Sequence, residues 1–463
     1  MRTKVIKRLF SIALVIMMLF QTSCNDDSSG KITEPPIITV PVKITSGAQT
    51  DTASPGSDNS TVSAEIPTAT ITPEDTTDIT PTASAPSVTA SVPASTATST
   101  ATVSPTKTPG SSEQEVTVES LIAGMTLEEK VAQLFVVVPY ALTDISNANA
   151  ANDAYKAVFD KYPVGGFCYM GNSIVSENQV KQMILKSQQY SYDRVGVPLF
   201  TCIDEEGGIV ARIGNSDIDV PSVENMCNIG ASGDVSKAKN VGTIIGDYLS
   251  EYGFNVDFAP VADVLSNPDN TVVKKRSFGS NAEVVSDMAL AVMEGLEEKG
   301  VYGTLKHFPG HGATEGDTHE GYAYTSKTLD QLKSCELIPF ADGIESGAEF
   351  IMIGHISLPN VIGDNTPASL SGKIITEILR KQMGYDGLII TDALNMGAIT
   401  KQYSSAEAAV KTLLAGSDLI LMPADFVSAY NGVLTAVKDG NISEKRIDES
   451  LERILKIKLE IMN

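Results

Sequence analysis

Lys306-His307-Phe308-Pro309-Gly310-His311-Gly312, with Asp317-Thr318-His319 close behind, holds three of the four histidines of the chain; the fourth is His355. Histidine is the side chain whose ordinary pKa lies nearest neutral pH, so a cluster of this kind is a candidate proton-transfer site. The proline and glycines forbid a regular helix and imply a shaped loop, the usual place for groups that act on a ligand. Asp317 and His319 are spaced i, i+2, and in an extended segment both project to one side. The carboxylate can then accept the imidazole N–H, fix its tautomer and raise its basicity. Glu315 and Glu320 flank the pair as rival proton donors, and spacing alone leaves open that Asp317 and His319 are ordinary loop residues. Gly310, Gly312, Gly316 and Gly321 surround the segment, so movement over a ligand is expected of it.

Other polar residues end apolar runs in a regular way. Asp204-Glu205-Glu206, Asp263, Lys306-His307, His355 and Asp392 each follow a short hydrophobic stretch. Those stretches are residues 134–138, 164–169, 199–203, 256–260, 301–305, 350–353, 387–390 and 418–422. Helical patterns with i, i+3/i+4 apolar spacing lie between them, for example 180–192, 282–298, 329–344 and 406–415. Thr126 and Glu129 have capping-box spacing at the first helix. Eight strand–helix units predict an α/β fold, a (β/α)8 TIM-type barrel, with a doubly wound open sheet as the alternative. In such a barrel, function gathers at the C-terminal ends of the strands, where these polar residues fall.

Upstream the composition differs. Arg2, Lys4, Lys7 and Arg8 precede an apolar run at 9–20 that is short for a membrane span. Cys24 follows Thr22 and Ser23, which resembles the bacterial lipoprotein signal. Residues 1–24 therefore read as a lipoprotein-type signal segment, with Cys24 lipidated and the protein held at the outer face of the cell membrane. Ordinary secretion is the alternative. Residues 25–115 read as a disordered Ser/Thr/Pro-rich linker: from Ser28 to Ser112 there is no Phe, Tyr, Trp, Leu or Met to offset backbone ordering. As a flexible coil it would span about 50 Å. Residues 116–463 form the catalytic domain. Cys168, Cys202, Cys227 and Cys335 have no metal-type spacing and read as free core thiols. A formal net charge of −23 argues against nucleic acid as a partner.

The ordered blocks Ile203-Asp204-Glu205-Glu206-Gly207-Gly208 with Arg212, Ala259-Pro260-Val261-Ala262-Asp263-Val264, Arg276-Ser277-Phe278-Gly279, Lys306 to Gly312, Asp317-Thr318-His319 and Thr391-Asp392-Ala393-Leu394-Asn395-Met396 resemble family 3 glycoside hydrolases. The likeness is to the single-domain β-N-acetylglucosaminidase branch and covers most of residues 116–463. Glu205 departs from a common glutamine and Ala393 from a common second acid, and a proline expected after His319 is missing. Many relatives add a second domain that supplies a glutamate acid/base. Because this chain ends at Asn463, the expectation is that the barrel supplies its own.

The resemblance implies a retaining, exo-acting β-N-acetylglucosaminidase with Asp392 as nucleophile and His319, backed by Asp317, as acid/base. Asp392 as a simple helix N-cap is the plain alternative. Asp204, Arg212, Arg276, Lys306 and His307 are implied to bind the terminal sugar, with Asp392, Asp204 and Asp263 balancing the three cations. An ion pair of Arg276 with Asp263 is the structural alternative. His311 and His355 stay open between cavity wall and buried core. No cofactor or metal is implied: Pro309 and Gly310 break the helix that His307 and His311 would need to ligate a metal together. Expected partners are an oligosaccharide or muropeptide and the membrane, the protein itself being a monomer. β-Glucosidase, phosphorylase and a non-enzymatic wall-glycan-binding protein are the rival functions.

Overall fold

The computed structural model describes residues 116–142, 150–317, 321 and 323–462. The proposed signal segment, Cys24 and the linker lie outside the described residues, as do Thr318, His319 and Glu320.

Eight strands are each followed by helical structure: β1 (Phe135–Val137), β2 (Gly166–Cys168), β3 (Phe200–Ile203), β4 (Val256–Asp257), β5 (Tyr302–Phe308), β6 (Phe350–Ile353), β7 (Leu388–Thr391) and β8 (Ile420–Leu421). Neighbours in sequence pair in parallel, as in Val136 with Gly166, Cys168 with Cys202 and Leu388 with Phe350. β8 returns to β1 through Phe135 opposite Ile420, and a bridge from Ile390 to Leu419 joins β7 to β8. The sheet therefore closes into a barrel, and the open doubly wound alternative is excluded. Almost every strand residue is buried, which is why the strands read as continuous apolar runs rather than alternating ones.

The helices bury one stripe each. Glu177–Val195 buries Val180, Met183, Ile184, Ser187 and Ser191, is capped by the Ser176 side chain, and ends at Gly196 with φ of 75°. Val235–Tyr252 and Ala282–Glu297 cross at glycines: a Cβ on Gly242 would lie 2.1 Å from the Val292 carbonyl oxygen, and one on Gly295 2.3 Å from that of Lys239. The Thr126–Glu129 capping box forms with both of its hydrogen bonds.

One expected helix, 329–344, is two: Leu329–Lys333 and Ile338–Ser346. Pro339 has no N–H to continue a helix but suits a first turn, and the break turns Glu336 inward to Ser266 and Lys327. The N-terminal end of the barrel is closed by Lys458, which donates to Gln133 Oε1 at 2.8 Å and lies 5.2 Å over the Phe200 ring. The cysteines of the described residues are free thiols, Cys168 and Cys202 buried and facing one another in register.

Candidate active site

Asp204 is the first residue beyond β3. The chain then forms a hairpin, Glu205–Gly207 with Val210–Ala211, turning through Gly207 and Gly208 at φ of 89° and 56°. A Cβ on Gly208 would lie 2.4 Å from Asn225 Oδ1, so the turn needs glycine there. Alternation sends Asp204 and Glu206 to the cavity side and Glu205 into the scaffold. Glu205 accepts from the N–H of Ile213 and Gly214 at 2.9 and 2.7 Å and from the Tyr248 hydroxyl at 2.8 Å.

The cations gather around two carboxylates. Lys306, at the end of β5, reaches Glu206 at 2.6 Å and Asp204 at 3.0 Å. Arg276 grips Glu206 with two bonds of 2.8 and 2.7 Å, and Arg212 meets Asp204 at 3.1 Å. The ion pair of Arg276 with Asp263, weighed as the structural alternative, does not form, since Arg276 pairs with Glu206. Of the three expected counter-charges only Asp204 pairs directly with the cations; Glu206, not Asp392 or Asp263, is the second carboxylate they meet. Glu206 sits two residues beyond Asp204, the acid that resemblance singles out; the signal for it was that i, i+2 relation. Burial alone would raise the Glu206 pKa, but Arg276 and Lys306 outweigh it and hold the carboxyl well below its ordinary range.

Asp263, after β4, is fully buried and organises the histidine loop. It accepts from His307 Nδ1 at 2.8 Å, from the His307 N–H at 3.2 Å and from the His311 N–H at 2.6 Å. Because a carboxylate only accepts, the proton of that imidazole lies on Nδ1, and His307 lines the cavity with its tautomer fixed. His311 also lines the cavity, and burial lowers its pKa to about 4, leaving it neutral at working pH. His355 is fully buried: its Nε2 donates to the Ala393 carbonyl at 2.9 Å and its Nδ1 meets Ser369 Oγ at 2.7 Å.

Asp392 stands just past β7, its N–H bonded to Ile353 at 2.8 Å and its carboxylate accepting from the Ala393 N–H at 2.7 Å. Burial pushes its pKa up, but His355, His307, the Ala393 N–H and Lys306 together hold it below the ordinary aspartate value. It is half-buried and opens onto a cavity of about 430 Å³.

Asp204, Arg212, Arg276, Lys306, His307 and Asp392 thus line one cavity at the C-terminal ends of the strands. Its other wall is apolar, with Tyr140, Met170, Met352, Met396 and Met422. No pattern in the sequence marked those residues, because methionines ending strands look like core. Asp317 does not line this cavity; it lies in an adjoining groove with Asn270 and Thr314. Its expected partner, His319, is outside the described residues, so the dyad is not described. Among the described residues no three His, Cys, Asp or Glu side chains group as a metal site.

The model of the glycosyl hydrolase family 3 N terminal domain matches residues 126–457. Beta-hexosaminidase A of Pseudoalteromonas piscicida is 34% identical over 329 residues, 66% of this chain and 54% of that protein. Beta-hexosaminidase LpqI of Mycobacterium tuberculosis is 31% identical over 344 residues, 71% of this chain and 82% of that one. A solved family 3 β-N-acetylglucosaminidase from Paenibacillus superimposes with a TM-score of 0.69 at 36% identity, over 73% of this chain and 63% of that one. The solved M. tuberculosis LpqI gives 0.65 at 29%, over 74% and 96%. The match therefore spans little more than half of the Pseudoalteromonas protein and most of LpqI.

Proposed function

The chain belongs to glycosyl hydrolase family 3, and from that we propose a retaining, exo-acting β-N-acetylglucosaminidase that removes terminal β-linked N-acetylglucosamine from cell-wall or chitin-type glycans. The observation that carries this reading is that Asp392, just past β7, opens onto the same cavity as Asp204, Arg212, Lys306 and His307, with its carboxyl held below the ordinary aspartate range.

In the proposed reaction the Asp392 carboxylate attacks the anomeric carbon while His319 gives a proton to the leaving oxygen. A covalent glycosyl-enzyme results, and water, deprotonated by the same imidazole, releases the sugar. Asp317 orients that imidazole. Asp204 accepts from sugar hydroxyls, while Lys306, Arg212 and His307 donate to sugar oxygens; Arg276, gripping Glu206, holds that carboxylate under Lys306. Asp263 fixes His307.

Water rather than phosphate is the acceptor in this reading. Lys306, Arg276 and Arg212 are each already joined to Asp204 or Glu206, and a phosphate dianion would have to compete with those carboxylates. Export and anchoring through a lipidated Cys24 complete the proposal, supported by the N-terminal sequence, and place the substrate outside the membrane. A panel of 4-nitrophenyl β-glycosides with and without phosphate tests the activity. Hydrolysis of the N-acetylglucosaminide, indifferent to phosphate and abolished by Asp392→Ala, is expected. Preference for the glucoside, or a phosphate-dependent sugar 1-phosphate product, would contradict it. Release of Cys24→Ala protein from the membrane fraction tests the anchor.

A further inference from the structure

His355 is a histidine that the proposed reaction leaves unused, and it is fully buried. Only Gly354 separates it from the end of β6, and its ring reaches across to the turn that carries Asp392. Nε2 donates to the Ala393 carbonyl at 2.9 Å, and Nδ1 lies 2.7 Å from the hydroxyl of Ser369, itself fully buried.

That turn is tied to both neighbouring strands. The Asp392 N–H bonds to the Ile353 carbonyl of β6 at 2.8 Å, and the Leu394 N–H bonds to the Leu421 carbonyl of β8 at 2.9 Å. Between these ties stands Ala393. Its N–H donates to the Asp392 carboxylate at 2.7 Å, and its carbonyl accepts from His355 and, at 3.1 Å, from the Met396 N–H. Whatever fixes the rotation of Ala393 therefore fixes where the Asp392 carboxylate points. An imidazole and a hydroxyl cost free energy when removed from water unless they are bonded, and an apolar pair of similar size would fill the same space. As filler the pair is costly; as an aiming device it has a use, because Ser369 turns the ring and the ring holds Ala393. Burial pushes the Asp392 carboxyl up, and His355 leads the groups that bring it down, ahead of His307, the Ala393 N–H and Lys306. The ring thus lies close to the carboxylate as well as bonded to its neighbour.

Resting on Asp392 as the nucleophile, we propose that His355, oriented by Ser369, is a positioning residue that aims the Asp392 carboxylate at the anomeric carbon through the Ala393 carbonyl. His355 does not line the sugar cavity, so its loss should fall on the displacement and not on the binding of the sugar.

The test uses substitutions in the full chain and follows three quantities: kcat/KM on 4-nitrophenyl β-N-acetylglucosaminide, the Ki of N-acetylglucosamine, and the denaturant midpoint. An asparagine amide can take the place of Nδ1 beside Ser369 but falls short of Ala393, whereas a glutamine amide can take the place of Nε2. His355→Asn should lose about thirtyfold or more in kcat/KM, as expected of a reacting group displaced by up to about 1 Å, with Ki within about twofold of wild type. His355→Gln should recover most of that loss. Ser369→Ala should lose about fivefold with Ki unchanged, and it decides the matter alone if His355→Asn does not fold. The proposal is overturned if His355→Asn keeps kcat/KM within about threefold of wild type, if the asparagine and glutamine proteins are equally impaired, or if Ki rises in step with the loss. It is also overturned if Ser369→Ala matches wild type. In each of these cases the glycosidase reading stands. Full activity in Asp392→Ala would overturn both.

Discussion

Glu205 and Glu206 are adjacent acids of the same buried hairpin, and conservative substitution should separate their roles. Glu206 has a side chain only 1% exposed and takes three charge-assisted bonds, at 2.6 Å from Lys306 and at 2.8 and 2.7 Å from Arg276. Glu206→Gln leaves a neutral amide facing two buried cations, and breaking such a pair costs about 3–5 kcal/mol. The same change releases Lys306 from the position that addresses the sugar and loosens Arg276 behind it. Two charge-assisted hydrogen bonds misplaced at about 1.5 kcal/mol each correspond to roughly a hundredfold loss in kcat/KM. Glu205→Gln leaves the cavity untouched. Glu205 is a carboxyl whose pKa burial raises, outweighing its hydrogen bonds, so an amide in its place costs about 1 kcal/mol, with kcat/KM within about threefold of wild type. Both proteins would be followed by chromogenic kinetics and by denaturant unfolding. If Glu206→Gln lost stability but kept kcat/KM within about threefold of wild type, the carboxylate would be scaffold alone and the reasoning would be refuted.

His311 and Lys458 give stability a pH dependence that can be read in the same unfolding assay. The His311 pKa falls from 6.5 to about 4 on folding. The unfolded chain therefore binds more protons between those values, and about 3 kcal/mol of stability present above pH 6.5 should be lost as pH falls to 4. His311→Asn should flatten that limb; an unchanged slope would assign it to other groups. Burial lowers Lys458 from 10.5 to about 7, so its contribution improves as pH rises from 7 to 10.5. Lys458→Met, which also gives up the bond to Gln133, should stabilise the protein by about 2 kcal/mol at pH 6, a gain that crosses zero near about pH 8.5 and becomes a loss of about 2 kcal/mol toward pH 10. Destabilisation at pH 6 would show that the lysine is well accommodated as a cation.

The barrel was legible because its strands are buried on both faces. Most are short, predominantly apolar runs, and a polar residue at or near the end of several of them marks the C-terminal rim. Asp204, Asp392 and Lys306-His307 could be placed in this way before any coordinates. The partners of Arg276 could not. Glu206 and Asp263 both follow strands, and only the twist of the hairpin through Gly207 and Gly208 decides which carboxylate the guanidinium meets. The break at Glu336 was hidden for a similar reason: helical periodicity continues across it, whereas the inward turn answers to Ser266 and Lys327, remote in sequence. The methionine wall carries no local signal at all, since its members come from the turn after β2, from β6, from the turn after β7 and from just past β8.

The most direct test of the account is to trap the proposed covalent intermediate. A fluorinated N-acetylglucosaminyl donor with a good leaving group should glycosylate the protein with one sugar, expelling the leaving group and turning over slowly, and peptide mass mapping should locate that sugar on Asp392. Labelling of Asp204 or Glu206 instead would contradict the account. So would the absence of any adduct, accompanied by a first-formed product of inverted anomeric configuration.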